Sequence, residues 1–254
     1  MIKSVDRAFA VLEYMSNRKS VSVTEVATEF ELDKGTVSRM MKTFEKHGMA
    51  VKSENSAKYR IGSSVLKLGH NVVTCNNIVY TARPILGELA DKLGTTARLC
   101  MIEGKRVFVI DQIDSSKGKV DRESDIPGIS KPLYCSAIGK IIFAYMPPKK
   151  LDAILREMEF TSYTENTITS QEALRRELRQ IKEQGYALNI AEFSDRAYCV
   201  AVPIFCGAES EVKYCIGITG NKDYRQDRER FEETVQYMKS ASQTIARSYE
   251  GNDL

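Results

Sequence analysis

The 254-residue sequence has no tryptophan, only two histidines, and six cysteines of which no two form a C-x-x-C pair. Each shortage excludes some chemistry. Cysteines scattered in this way are expected as buried thiols rather than as disulfides or a zinc site. His47 and His70 both fall in the first third, so nothing after them carries an imidazole. No G-x-S-x-G, H-E-x-x-H or phosphate-binding glycine loop is present. Apolar runs stay below the roughly 18 residues of a membrane span. The first residues, MIKSVDRAFAVLEYMSNRKS, lack a signal-peptide core and cleavage site. A cytoplasmic protein with no metal and no organic cofactor is therefore expected. Hydrophobic content of 43% and charged content of 28% fit a globular chain of one or two domains.

What is present is unevenly placed. The net charge is +3, but residues 1–70 hold twelve Lys and Arg against eight Asp and Glu, and the remainder is slightly acidic. A basic excess confined to the N-terminal part is the footprint expected of a nucleic-acid-binding module.

The same part reads as helix, helix, helix, hairpin. Val5, Phe9, Leu12 and Met15 recur at helical spacing after Ser4, predicting a first helix to about Asn17. Ser22-x-x-Glu25 is a capping-box pattern opening a short helix to about Phe30. Asp33 can cap a third helix with Val37, Met40, Met41 and Phe44 on one stripe, and Gly48 falls where a left-handed C-terminal cap belongs. Extended pieces at Met49–Lys52 and Lys58–Gly62, joined by the polar turn 54–57, complete a winged helix-turn-helix over residues 1–62.

In such a motif the second helix of the pair lies in the DNA major groove and leads with its N-terminus. Here that first turn carries Lys34, Thr36, Ser38 and Arg39, with Lys42 following. Lys34 and Arg39 can neutralise phosphates, and Arg39 can also fork onto guanine. Thr36 and Ser38 are short enough to hydrogen-bond at the groove floor. Lys52, Lys58 and Arg60 in the wing are placed to follow the flanking backbone.

A linker helix is expected over 63–79, with Leu66, His70 and Val73 on one side. Helix continues to Lys92, with Pro84 predicting a break or kink and Gly94 a stop. Beyond it, hairpins turning at Glu103–Gly104 and near Gly207–Ser210 alternate with helices at 137–145, 149–158 and 170–184. A long helix over 226–249 follows. This order predicts an α+β domain on an antiparallel sheet over 80–254.

Within it, Ser136-Ala137-Ile138-Gly139-Lys140 sits at a loop-to-helix junction. Two readings are open there: backbone N–H groups receiving a carboxylate, or plain capping by Ser136 with Gly139 for tight packing. Cys199, in an apolar strand, has no nearby histidine in sequence to make it a nucleophile, and an inert thiol is the expected state.

Taken together, SVDRAFAVLEYM, VSVTEVATEFELDKGTVSRMMKTFEKHGMAVK, KYRIG, KPLYCSAIGKIIFAYMP, TENTITSQEALRRELRQIKEQGYALNIAEF and CVAVPIF resemble, in order, the IclR family of bacterial transcriptional regulators. The resemblance covers nearly the whole chain. It implies a winged helix, a linker helix and a C-terminal effector domain of GAF-like fold, in dimers that often assemble to tetramers on operator DNA. It further implies a small organic acid lying against the helix start at Ala137, Ile138 and Gly139 and against the strand of Cys199, with Ala197 and Ala201 on either side. Two departures bear on the ligand. Asn189 stands at the family's usual first acid while Glu192 is retained, and Arg196 replaces a glycine three residues before the cysteine. Asn189 can donate and accept, and Arg196 is a carboxylate partner if it faces inward or a surface side chain if it does not. PLYCSAIGK and TENTITSQEAL resemble the branch that senses hexuronate-derived keto-acids, so a sugar acid is expected.

The function expected is ligand-responsive regulation, as a repressor of catabolic genes. Two other readings predict different behaviour. An enzyme acting on a small organic acid predicts turnover, and an architectural DNA-binding protein predicts no ligand response.

Overall fold

The structure is a computed structural model and describes residues 1–74, 77–103, 106–117, 132–207, 212–220 and 224–250. Two compact units divide at Asn76 and Asn77. The expected linker, 63–79, is split between two helices, one in each unit.

The first unit runs α1 (Lys3–Ser16), β1 (Val21–Ser22), α2 (Val23–Glu29), α3 (Lys34–Lys46), β2 (Ala50–Lys52), β3 (Lys58–Ile61) and α4 (Ser64–Thr74). The three strands pair antiparallel in the order β1-β3-β2. The capping box forms as expected: Ser22 Oγ accepts the Glu25 N–H at 3.1 Å, and Glu25 Oε2 accepts the Ser22 N–H. Asp33 caps α3 by accepting the Thr36 N–H at 2.8 Å. Val11, Met15, Val26, Val37, Met41 and Phe44 meet in one small core.

The inward stripe expected for α1 needs correction. The helix begins at Lys3 with Ile2 at its N-cap. Its inward side is Ala8, Val11, Leu12 and Met15, while Val5 and Phe9 are exposed. Apolar residues occupy two overlapping stripes here, and which one turns inward is set by packing against β3 and the rest of the small core rather than by periodicity.

Gly48 ends the recognition helix at φ +68°, and the Met49 N–H reaches back to the Phe44 carbonyl at 2.8 Å. The hairpin exit then passes so close that a Cβ on Gly62 would lie 2.1 Å from the Gly48 carbonyl oxygen. Both partners are backbone, so neither can step aside. Gly62→Ala is expected to destabilise this unit by about 1–3 kcal/mol. Urea denaturation followed at the N-terminal unit checks this, and an unchanged midpoint would count against the close approach.

The second unit runs α5 (Asn77–Leu93), β4 (Thr96–Glu103), β5 (Arg106–Asp114), α6 (Ala137–Tyr145), α7 (Pro148–Glu157), α8 (Gln171–Gln184), β6 (Ala187–Ile190), β7 (Tyr198–Ile204), β8 (Tyr214–Gly220) and α9 (Arg228–Glu250). Its five strands form one antiparallel sheet in the order β5-β4-β8-β7-β6. Gly104 of the first expected turn, and residues 208–210 of the second, lie outside the described residues. Strand β6 went unread in the sequence. At four residues and on the sheet edge, it is too short to show a period.

Alternation along the strands builds two cores. Ala97, Leu99, Val200, Val202, Ile216 and Ile218 face α5 and α9. Cys100, Ala187, Ala201 and Cys215 face α6 and α8. Pro84 sits inside α5 without ending it. The helix buries Ile78, Val79, Ala82, Leu86, Leu89 and Ala90, and that burial outweighs the roughly 3 kcal/mol a mid-helix proline costs. None of the five described cysteines is in a disulfide; Cys100, Cys135 and Cys215 are buried, whereas Cys199 and Cys206 are only half-buried. No helix among the described residues is long and apolar enough to cross a membrane.

Candidate functional site

On α3, Val37, Met41 and Phe44 are buried, which turns Gly35, Arg39, Lys42, Thr43 and Lys46 outward. Lys34 is exposed on the same first turn, and Thr36 and Ser38 are half-buried at its flanks. Thr36 does two things at once. Its N–H is taken by Asp33, and its hydroxyl accepts from the Arg39 guanidinium at 3.0 Å, which holds that side chain along the N-terminal half of the helix. Lys46 was not singled out from sequence, although i, i+4 spacing from Lys42 places it in the same outward row.

The wing residues do not act as one group. Lys52 stands opposite Tyr59 across the strands, on the inward face, with its ammonium 6.0 Å from the ring centroid. Lys58 and Arg60 point to the other face. Lys58 is 3.5 Å from Glu25 on α2, so part of its charge is spent within the unit. Arg60 is exposed and donates to the Ile61 carbonyl at 3.4 Å.

In the second unit the register sets two adjacent rows on the sheet face that meets α6. One row runs Gln112, Arg98, Gly217, Ala201, Ala187 across β5, β4, β8, β7 and β6. The next runs Asp114, Thr96, Thr219, Cys199, Asn189. Small residues in the middle of the first row let α6 approach. A Cβ on Gly217 would lie 3.3 Å from the Ile138 side chain, which places Ile138 directly over that glycine. The second row is polar throughout, and Cys199 Sγ lies 3.5 Å from Thr219 Oγ1.

The first turn of α6 supports both readings of the sequence, residue by residue. Ser136 caps the helix by accepting the Gly139 N–H at 3.0 Å. Gly139 also packs on backbone, since a Cβ there would fall 2.2 Å from the Leu133 carbonyl oxygen. Ser136 and Gly139 thus serve capping and packing. The Ala137 and Ile138 N–H groups have no acceptor among the described residues, and they begin a helix whose dipole favours an anion.

The β6–β7 turn places the remaining residues singled out from sequence. Arg196 is exposed on the turn and is not brought to the rows. Ala197 is buried, with its carbonyl accepting from the Ala191 N–H. Asn189, 2% exposed, uses its side-chain oxygen to accept the Glu192 N–H at 2.9 Å. Ala191 between them adopts φ +54°, a left-handed conformation disfavoured for a residue with a Cβ. Glu192 turns away from Cys199 and pairs with Lys140 at 2.6 Å, while Glu177 reaches the same ammonium at 3.1 Å. Lys140 is 1% exposed, and burial holds the Glu192 carboxyl above the usual carboxylate range despite that cation. An open cleft of about 450 Å³ beside α8 and β6 is lined by Lys140, Glu177 and Glu192; none of the other expected effector residues reaches it.

Sequence reasoning missed Lys140 as a buried ion-pair centre and Thr96, Arg98, Gln112, Asp114 and Thr219 as members of the rows. A signal existed in TTARLC, where Thr96 and Arg98 break an otherwise apolar strand at alternate positions.

Residues 4–54 match the IclR helix-turn-helix domain, and residues 70–247 match the family described as bacterial transcriptional regulator IclR C-terminal. The chain belongs to the IclR family. The HTH-type transcriptional regulator XynR of Escherichia coli K12 is 32% identical over 206 residues, covering 81% of each chain. An IclR transcriptional regulator from Alicyclobacillus acidocaldarius superposes with a TM-score of 0.84 at 26% identity, over 98% of this chain and 99% of that one. At 19% identity, an IclR homologue of Microbacterium hydrocarbonoxydans, solved with 4-hydroxybenzoate, shares the fold with a TM-score of 0.82 over 98% and 99% of the two chains. This IclR-family protein is a DNA-binding transcriptional regulator with a C-terminal ligand-binding domain, not an enzyme.

Proposed function

We propose that this IclR-family regulator represses catabolic genes and releases its operator when a small organic acid, of the sugar-derived keto-acid class, binds the second unit. The observation that carries the reading is the first turn of α6, whose Ala137 and Ile138 N–H groups have no acceptor among the described residues, together with the polar row of Thr219, Cys199 and Asn189 on the sheet face that α6 covers. A helix N-terminus with hydrogen-bonding side chains around it suits a carboxylate with further oxygens. The 4-hydroxybenzoate bound by the Microbacterium homologue is itself an organic acid, which supports the class.

On the DNA side, Lys34, Thr36, Ser38, Arg39 and Lys42 enter the major groove, and Lys52, Lys58 and Arg60 follow the backbone. The functional unit is a homodimer or homotetramer in which residues 63–79 set the spacing of two winged helices. The exposed apolar side chains Val5 and Phe9 on α1 and Leu66 and Leu68 on α4 support association through the first unit. Ligand acts by binding one domain arrangement better than the other, shifting the population between them.

Fluorescence anisotropy on DNA from immediately upstream of the gene, with a panel of sugar acids and short keto-acids, tests this. Salt-dependent binding that beats random DNA and weakens with one acid is expected. Binding strengthened by the acid would reverse the sign, and specific binding that no acid moves would favour an architectural role. Cys199→Phe places a ring between Thr219 and Asn189, and it is expected to abolish the acid response while leaving operator affinity unchanged. An unaltered dose response in that variant would remove Cys199 from the ligand site.

A further inference from the structure

We infer that the open cleft beside α8 and β6 is a second ligand site, and that it takes a primary ammonium group carried on a small apolar body. At about 450 Å³ the cleft falls within the roughly 300–1,000 Å³ of small-molecule sites. It stands apart from the acid site proposed at α6. Glu192 lines it, whereas Ala137, Ile138, Asn189 and Cys199 do not. The two sites can be tested separately.

Two walls follow from the periods of the elements that build them. Tyr186, Leu188 and Ile190 alternate along β6 and the residue before it, and so share one face. Phe231 of α9 meets the Tyr186 ring edge-on, with 5.8 Å between centroids. On α8, Glu177, Gln180 and Gln184 fall at i, i+3 and i+7, which is one face of a helix. Strand β6 is the last of the sheet, and no described strand pairs with its outer edge.

The charges in this lining do not balance around Lys140. Its ammonium lies between two carboxylates, with Glu192 Oε1 at 2.6 Å and Glu177 Oε1 at 3.1 Å. When all three are ionised, one negative charge is left over. Glu192 Oε1 also accepts the Ile190 N–H at 3.4 Å, but Oε2 has no partner among the described residues. A carboxylate buried with one oxygen unmet is costly, and apolar residues in place of a buried ion pair are often no less stable. Stability alone therefore does not account for this cluster. A second cation would balance the charge and bring Oε2 a donor. An ammonium has three N–H groups and no acceptor, so it can serve Glu192 and Glu177 together. Glu177 is the accessible member of the pair, its side chain 28% exposed. The wall of Tyr186, Leu188 and Ile190 suits the carbon body that carries the ammonium. Arg225, the remaining charge of the lining, is exposed, where water and salt screen it.

Binding is also linked to pH. Burial holds the Glu192 carboxyl above its usual range, Lys140 opposes that rise and Glu177 adds to it. Tyr186 and Arg225 are the other titratable groups of the lining. An arriving ammonium favours the ionised carboxylate, so binding releases a proton and affinity rises with pH through the Glu192 titration.

The test uses the full chain in titration calorimetry, with n-butylamine, cyclohexylamine and benzylamine each set against n-butanol, cyclohexanol and benzyl alcohol. At least one amine is expected to bind about 10- to 150-fold tighter than its alcohol, as for hydrogen bonds to charged groups. Its heat should vary with the ionisation enthalpy of the buffer, which reports the released proton. Glu177→Gln is expected to abolish the preference for amine over alcohol, and Glu192→Gln to abolish both the preference and the proton release. Should Glu192→Gln fail to fold, the Glu177 variant and the wild-type proton release decide. No amine bound by wild type, an alcohol bound as tightly as its amine, or a preference that survives Glu177→Gln would overturn the site. Each of these leaves the acid reading at α6 in place, because no acid enters the test.

Discussion

Lys140→Met is expected to cost the second unit about 3–5 kcal/mol at neutral pH, the range for breaking a buried ion pair by removing one partner. Lys140 lies on α6, 1% exposed, with Glu192 at 2.6 Å and Glu177 at 3.1 Å. Removing the ammonium strands Glu192, whose Oε2 already lacks a partner among the described residues. The loss depends on pH, and its sign follows from Glu192. Burial raises the folded-state pKa of that carboxyl above its unfolded value. The native state therefore binds the proton more readily, and stability falls as pH rises through the window between the two values. Without Lys140 the window widens upward. The variant should lose least in acid and most at neutral pH, and Glu192→Gln in the same background should recover part of the loss. Urea denaturation at two pH values and on the double variant measures all three. A pH-independent loss would mean that Lys140 matters through packing alone.

The consequence reaches the ligand site because Lys140 is one residue beyond Gly139. Its pair with Glu192 ties the first turn of α6 to the β6–β7 turn that orients Asn189. Acid affinity should fall together with stability in Lys140→Met.

Arg39→Ala is expected to reduce operator affinity by about 1–3 kcal/mol, roughly 5- to 150-fold, if the side chain forks onto a base. Thr36 holds the Arg39 guanidinium at 3.0 Å, on the outward side of α3, where little ordering remains to be lost on contact. Arg39→Lys separates base reading from simple charge. A base contact requires the fork, so the lysine variant should bind weakly and lose discrimination at one operator position. A phosphate contact requires only charge, so lysine would bind nearly as well as arginine. Lys42→Ala should instead weaken all sequences alike and reduce the salt slope by about one. Both variants alter exposed residues and should melt like the parent protein.

The sequence was most legible where structure is set within a few residues. The capping box at Ser22 and Glu25, the cap at Asp33 and the left-handed glycine at Gly48 all formed as read. So did helix 137–145 and the two long hairpin strands that follow Gly94. It was least legible where a side chain's surroundings come from distant segments. Phe9 and Val11 both suit a helix stripe, yet only Val11 is buried, because packing against distant segments of the unit chose between them. The need for a glycine at 139 comes from the Leu133 backbone, which no local pattern shows.

By itself, then, the sequence determined that a capped, basic-fronted helix precedes a wing, and that the second unit is an antiparallel sheet with helices. Caps, turns and alternation are interactions over three to five residues, and their signals are written locally. Only the tertiary structure decided which polar residues share a face. Arg98, Thr219 and Cys199 span 121 positions of chain, yet they lie on neighbouring strands through register. The same long-range pairing turned Glu192 toward Lys140, left Arg196 in solvent, and put the Ile138 side chain of α6 over Gly217. Strand register is fixed by the whole hydrophobic pattern of the sheet, and no single segment carries it.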